Sequence, residues 1–158
     1  SNKAKGKTVI SLTKPKKYAD ENPMVLTDGA LGGSSFYANW LGYEGNDLEV
    51  VVDLEETQTI NTISMAFLQV TNHVVFFPDL VRYYGSTDNE NFILLGTIRN
   101  PKPLIKTSKV NDIHYFDLEM ESQKFRYIKV VAKNTGTPYW HHAAGLPSWI
   151  FADEIIID

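Results

Sequence analysis

The chain has 158 residues, 43% hydrophobic and 22% charged, with a formal net charge of −4 and no cysteine. That length suits one domain with a core of its own, needing no metal or disulfide staple. The acidic balance disfavours an electrostatic nucleic-acid binder, the missing cysteine removes disulfides, thiolate nucleophiles and cysteine–zinc sites, and no apolar run approaches the ~18 residues of a membrane span.

In chain order, residues 1–6 read as a tag remnant or linker, since Ser1-Asn2 carries no initiator Met, and the domain runs over 7–158. Thr8 to Leu12 is a short β-branched strand, closed by the charged break Lys14-Pro15-Lys16-Lys17. Tyr18 to Gly45 is long, irregular and glycine-rich, and a loop of that length inside a compact domain is functional or held by something other than strands. Leu48, Val50, Val52 and Leu54 alternate on one face of a half-buried strand. Ile60 to Leu68 is apolar on both parities and reads as a strand covered on both faces. Leu80 to Ser86 is a strand, Thr87-Asp88-Asn89-Glu90-Asn91 a turn, and Phe92 to Ile98 the next strand, ended by Asn100-Pro101. His114 to Leu118, Arg126 to Ala132 and Phe151 to Ile157 complete a set of about eight. No segment carries a helical stripe. Short strands at this spacing indicate an all-β antiparallel sandwich or barrel.

Catalytic signatures are missing. There is no G-x-S-x-G elbow, H-E-x-x-H pair, G-x-G-x-x-G turn or P-loop. Asp153 and Glu154 are neighbours on a strand, so they face opposite ways and form no acid/base pair by themselves. His141-His142 invites a zinc reading, but no further His or Cys lies near in sequence. A hydrogen-bonding role suits the pair better. Asp88-Asn89-Glu90 lacks the central Gly and distal Glu of an EF-hand loop and reads as a plain turn.

Three ordered blocks remain. They are Leu26-Thr27-Asp28-Gly29 with Trp40-Leu41-Gly42-Tyr43; the strand L-E-V-V-V-D-L from Leu48 to Leu54; and Tyr84-Gly85-Ser86-Thr87-Asp88 followed by Arg126 to Val130 and Ala152-Asp153-Glu154-Ile155. In this order they resemble a discoidin domain of the coagulation-factor 5/8 type C superfamily, which includes the family 32 carbohydrate-binding modules. The block L-T-D-G…W-L-G-Y-E-G further resembles modules that end bacterial family 20 hexosaminidases. Vertebrate members usually tie the domain ends with a disulfide, so the absence of cysteine favours the bacterial branch. The resemblance implies an eight-stranded antiparallel jelly-roll β-sandwich of the galactose-binding-domain type. It also implies a structural calcium ion held by Asp28, Glu154 and carbonyls near Val25, Ala30 and Gly33 or Ser34. Calcium takes six to eight oxygen ligands, and a glycine-rich loop turns its carbonyls inward at low steric cost.

The resemblance places a ligand on loops at one end of the sandwich. Sugar binding needs an aromatic face against the C–H side of the ring and planar polar groups for the hydroxyls. The candidate residues are Phe36 and Tyr37 in a first loop, Asn72, His73 and Phe76 in a second, and Tyr139, Trp140 and His141, with His142, in a third. One of Phe76 and Phe77 is expected to be buried. Trp40, Phe125, Tyr127 and Trp149 are assigned to the core. The second loop has no Arg, a departure from the family's usual hydroxyl-binding set.

The expected function is a non-catalytic carbohydrate-binding module, excised from a larger secreted bacterial glycosidase such as a β-N-acetylhexosaminidase. The alternatives are a structural accessory domain without ligand and a cell-surface or lipid adhesion module. The partners expected are a glycan and the other domains of the parent enzyme, with no nucleic acid. Membrane binding is disfavoured because Lys14, Lys16 and Lys17 lie far in sequence from the aromatic loops. A monomer is expected, located outside the cell, in the periplasm or on the bacterial surface.

Overall fold

The computed structural model describes residues 1–16, 22–29, 40–102 and 111–158. Among them lie seven strands: β1 (Thr8–Ser11), β2 (Leu41–Glu44), β3 (Leu48–Gln69), β4 (Leu80–Ser86), β5 (Ile93–Arg99), β6 (Asp112–Ala132) and β7 (Trp149–Ile157). Two short 3₁₀ turns, Pro23–Thr27 and Thr71–His73, accompany them, with no α-helix among the described residues. All strand pairs are antiparallel, in the order β2-β7-β3-β6-β4-β5, with β1 added on β3.

This single hydrogen-bonded system forms two layers because β3 and β6 each serve both. Leu48–Asp53 pairs with Tyr127–Ala132, which in turn pairs with β4. Beyond a register shift between Asp53 and Gln58, β3 continues against Phe125 and then Asp112–Glu119, and its far half takes β7 on the other side. One layer is therefore β1–β3–β6–β4–β5 and the other β6–β3–β7–β2.

The bulge between the layers explains a difference from the sequence reading. Glu55 and Glu56 look like a solvated turn between two strands. They are exposed, but the chain stays within β3, out of register with β6 between Asp53 and Gln58, with Glu55 at φ 74°. Asp53 stabilises that kink. Its Oδ1 accepts the Glu55 N–H at 2.8 Å and Arg126 Nε at 2.9 Å, and its Oδ2 accepts Arg126 Nη2 at 3.1 Å. The fork holds the Asp53 carboxyl below its ordinary range. His114–Leu118 and Arg126–Ala132 likewise belong to one strand, and β2 lies inside the stretch read as irregular. Four residues with a central Gly42 carry too little pattern, and β2 exists because it pairs with β7.

The core follows the alternation. Leu48, Val50, Val52 and Leu54 are all buried, as are Met65, Ala66, Phe67 and Leu68 on both faces of β3. The Tyr83 hydroxyl crosses between layers and donates to the Phe116 carbonyl at 2.5 Å. A second cluster, Trp40, Leu68, Val70, Val75 and Phe151, sits on the other face, with Trp149 half-buried against it. Tyr127, assigned to the core, instead lies half-buried on the outer face of the β1–β3–β6 layer, because β6 changes parity beyond Phe125 at the bulge. The opening residues are not a free linker. Ala4 is fully buried, Lys3 N–H donates to the Ile157 carbonyl at 2.7 Å, and Asn2 Oδ1 accepts the Ile157 N–H at 3.0 Å.

Gly85 is required by a close approach. A Cβ there would sit 2.6 Å from the Phe125 ring. Gly85→Ala is expected to lower unfolding stability by about 1–3 kcal/mol through overpacking, measured as a reduced midpoint in urea at unchanged slope.

Candidate functional site

Topology brings two of the candidate loops to one end of the sandwich. Val70–Asp79 leaves β3 and enters β4, and Lys133–Ser148 leaves β6 and enters β7. Backbone hydrogen bonds stitch them together: Phe76 N–H donates to the Trp149 carbonyl at 3.1 Å, and Trp149 N–H to the Val74 carbonyl at 2.8 Å. Where they meet, Thr71, Asn72, Trp140, His141 and His142 line a shallow pocket of about 130 Å³. Asn72 and His142 are exposed and Trp140 is half-buried. Tyr139 stands beside them with 92% of its surface exposed.

His141 holds the pocket together rather than facing a ligand. It is 6% exposed, and both ring nitrogens are taken. Nε2 donates to the Thr71 carbonyl at 2.6 Å and Nδ1 accepts the Ala143 N–H at 3.0 Å. That pattern is the neutral Nε2–H tautomer, and it locks the third loop onto the second. The His142 ring lies 4.2 Å from that of His141 and the Phe76 ring meets His141 edge-on at 5.8 Å. Both phenylalanines before Pro78 are buried, not one: Phe77 packs into the main core while Phe76 packs under the loop. Phe76 therefore offers no face to a ligand. His73 is exposed on the same turn as Asn72 but does not line the pocket. Phe36 and Tyr37 lie outside the described residues. Among the described residues no group of three or more metal-ligating side chains occurs, so His141-His142 has no companions for zinc.

The loop's footing rests on Asn134, which sequence reasoning passed over. Its Oδ1 accepts the Gly136 N–H at 2.9 Å and the Ser148 hydroxyl at 2.6 Å, its Nδ2 donates to the Ser148 carbonyl at 3.1 Å, and its N–H donates to Asp47 Oδ1 at 2.8 Å. The readable signal was Asn134-Thr135-Gly136, a side chain two residues before a glycine with φ 81°. Such a buttressed loop is pre-organised, which lowers the ordering cost of binding.

Towards the opposite end, Asp28 and Glu154 come together from distant parts of the chain. Thr27 Oγ1 donates to the Lys7 carbonyl at 2.7 Å, tying the 3₁₀ turn to β1. Glu154 is 2% exposed; its Oε1 accepts the Gly29 N–H at 3.1 Å, and its Oε2 is buried with no hydrogen-bond partner among the described residues. Burial first, and then the adjacent Asp28 carboxyl, push the Glu154 carboxyl up to about 8. Two carboxyls forced together with an orphaned oxygen fit an oxygen-loving cation such as calcium. Val25 is buried in the turn before Asp28. Ala30, Gly33 and Ser34 lie outside the described residues.

A family model described as the F5/8 type C domain matches residues 9–150. A search of the curated proteins finds no match. Among solved structures, the chain is similar to chitosan-binding module 1 of a chitosanase/glucanase from Paenibacillus sp. IK-5, at 15% identity and a TM-score of 0.61, covering 100% of this chain and 98% of that one. It is similar to CpGH89CBM32-5 from Clostridium perfringens in complex with GalNAc-β-1,3-galactose, at 14% identity and a TM-score of 0.53, covering 95% of this chain and 93% of that one. It also resembles part of a GH29 fucosidase from Ruminococcus gnavus, at 12% identity and a TM-score of 0.63, covering 99% of this chain but 26% of that one. These likenesses carry the fold: an antiparallel all-β sandwich.

His141→Ala removes both loop-locking hydrogen bonds, each worth about 0.5–1.5 kcal/mol. Amide hydrogen exchange is expected to accelerate over 139–144 and at Thr71–His73, with β3 and β6 protection unchanged.

Proposed function

The chain belongs to the F5/8 type C domain family, and from that footing we propose that it binds glycans as a non-catalytic module of a larger secreted bacterial glycosidase. It is a discoidin domain resembling carbohydrate-binding modules, and modules of this kind occur within larger glycosidases. The observation that carries the proposal is the convergence of Trp140, Asn72 and His142 on one pocket from two loops far apart in sequence. The Trp140 face covers the apolar side of a sugar ring, the Asn72 amide both donates and accepts, and His142 supplies a further ring nitrogen. Tyr139 extends the aromatic surface for a second residue of an oligosaccharide. A small open pocket binds weakly. Its value lies in effective concentration, since tethering to glycan keeps a linked catalytic domain near its substrate.

A glycan array followed by calorimetry tests this reading. Trp140→Ala is expected to weaken glycan binding by about tenfold or more, near 1.4 kcal/mol, at an unchanged melting temperature. Absence of binding by the parent domain to any glycan at millimolar concentration overturns it in favour of a structural accessory role.

We further propose that Asp28 and Glu154 hold a structural calcium ion, which neutralises two converging carboxylates and fastens the segment before residue 30 to β7. When bound, the ion supplies electrostatic stabilisation and no chemistry of reaction. Calcium chloride at a hundred times its dissociation constant is expected to stabilise the domain by about 2.7 kcal/mol, seen as a rise in melting temperature that a chelator reverses. Glu154→Gln abolishes that rise. Without metal the same variant keeps its stability or gains some, since a buried carboxyl crowded by Asp28 is gone. A calcium response that persists in Glu154→Gln rules the site out.

A further inference from the structure

The outer face of the β1–β3–β6 layer holds a second pocket, which the loops do not touch. The register stacks Thr8, Asp53 and Tyr127 in one cross-strand row, with Ile10 and Val51 in the next. Asn89, from the turn between β4 and β5, closes the rim, and the cavity has a volume of about 200 Å³. At ~30 Å³ per water this holds about half a dozen waters, the scale of one small ring rather than a chain.

Its lining combines two features that ordinary surface lacks. Ile10 and Leu12, both lining it, leave 58% and 57% of their surfaces exposed, so an apolar wall stands wet. Around that wall sit polar groups with unused capacity. The Thr8 hydroxyl, the Asn89 side-chain amide and the Tyr127 hydroxyl make no hydrogen bond among the described residues. Asp53 Oδ2 takes only one donor, Arg126 Nη2, and so has a lone pair to spare.

These groups are held still. Asp53 is clamped by the Arg126 fork and the Glu55 N–H. The Tyr127 ring is fixed by the Arg126 guanidinium 4.9 Å from its centroid. Asn89 sits at φ 61° with its N–H on the Ser86 hydroxyl at 3.0 Å. The turn around it is wired by Asp88, which accepts from Glu90 N–H, Asn91 N–H and Asn91 Nδ2. Rigid polar groups around an apolar wall are how a small-molecule site differs from a patch.

The local charge selects the ligand class. The Asp53 carboxylate is already met by Arg126, with Lys7 also lowering its proton affinity. A cationic ligand gains nothing there, and an anion meets the carboxylate. An acyl chain leaves three polar side chains stranded. A neutral pyranoside matches both halves, with C–H groups on Ile10, Leu12 and Tyr127 and hydroxyls on Thr8, Asp53 and Asn89. We propose that this sheet-face pocket is a second carbohydrate-binding site, specific for a single neutral pyranose ring. It shares no residue with the loop pocket, so the two readings fail separately.

The test is a titration of ¹⁵N-labelled protein with methyl β-galactopyranoside, N-acetylglucosamine and fucose, each followed by amide shifts. The expected result with at least one sugar is a saturable shift at Thr8, Ile10, Asn89 and Tyr127, with its own isotherm. Tyr127→Ala and Asn89→Gly each weaken that isotherm by about tenfold and leave shifts at Asn72 and Trp140 unchanged. Asn89→Gly suits the positive φ and keeps the turn, so it reports even where Tyr127→Ala perturbs the sheet. No saturable shift at these residues with any of the three sugars overturns the second site, as does an isotherm that survives both variants. Shifts confined to the loops overturn this site alone. Shifts confined to the sheet face support it and count against the loop site.

Discussion

The β3–β6 ribbon belongs to both layers, and it passes between them through register shifts at Asp53–Gln58 and Ile60–Thr62, the first held by Asp53 and Arg126. At this bulge Glu55 takes the left-handed conformation, at φ 74°, against the usual cost for a side chain. Asp53 offsets the cost by capping the Glu55 N–H while holding Arg126 across the ribbon. Each exit of the ribbon then places a functional feature. β3 and β6 exit from opposite ends of this antiparallel ribbon, and its folding over brings their outgoing loops to one pocket. The kink also turns Tyr127 outward, away from the core that holds Phe125.

Buried polar groups behave differently at the two ends. In the loops most are matched: His141 uses both nitrogens and Asn134 makes four hydrogen bonds to Asp47, Gly136 and Ser148, while Thr71 Oγ1 is buried with no hydrogen-bond partner among the described residues. Matched groups make a loop rigid, which suits recognition of a weakly held ligand. The Glu154 carboxyl is the opposite case, buried against another acid with an oxygen unused. A polar group in that state destabilises the fold unless a proton or a cation compensates it. The first arrangement is held by its own hydrogen bonds, and the second is the one we propose that an ion completes.

The aromatic residues divide by what the fold does with each face. Trp40, Tyr43, Tyr83, Phe67, Phe76, Phe77 and Phe116 are fully buried. Tyr139, Trp140 and Tyr127 keep surface open to solvent, two at the loop end and one on the sheet. Sequence alone separated Trp40 from Trp140, because one is embedded in an apolar block and the other lies among polar loop residues. It misjudged Phe76 and Tyr127. Strand alternation predicts opposite faces for neighbours, but the loop covers the second face at Phe76, and the bulge shifts parity before Tyr127. Asn72, Trp140 and His141 were legible as loop chemistry, whereas Thr71 and Asn134 were not, since their roles exist only through contacts with the other loop.

What the sequence determined by itself was the all-β class, most strand positions and the absence of the common catalytic signatures. Those readings rest on local signals: alternation, turn residues and short motifs, each contained within a few residues. The tertiary structure alone decided that His114–Leu118 and Arg126–Ala132 lie on one strand, that β2 is a strand, that Asn2 to Ala4 belong to the fold, and that Thr8, Asp53, Asn89 and Tyr127 share a pocket. Each of those depends on hydrogen bonds or packing between segments far apart in the chain, and a local pattern holds no record of which distant partner will complete it.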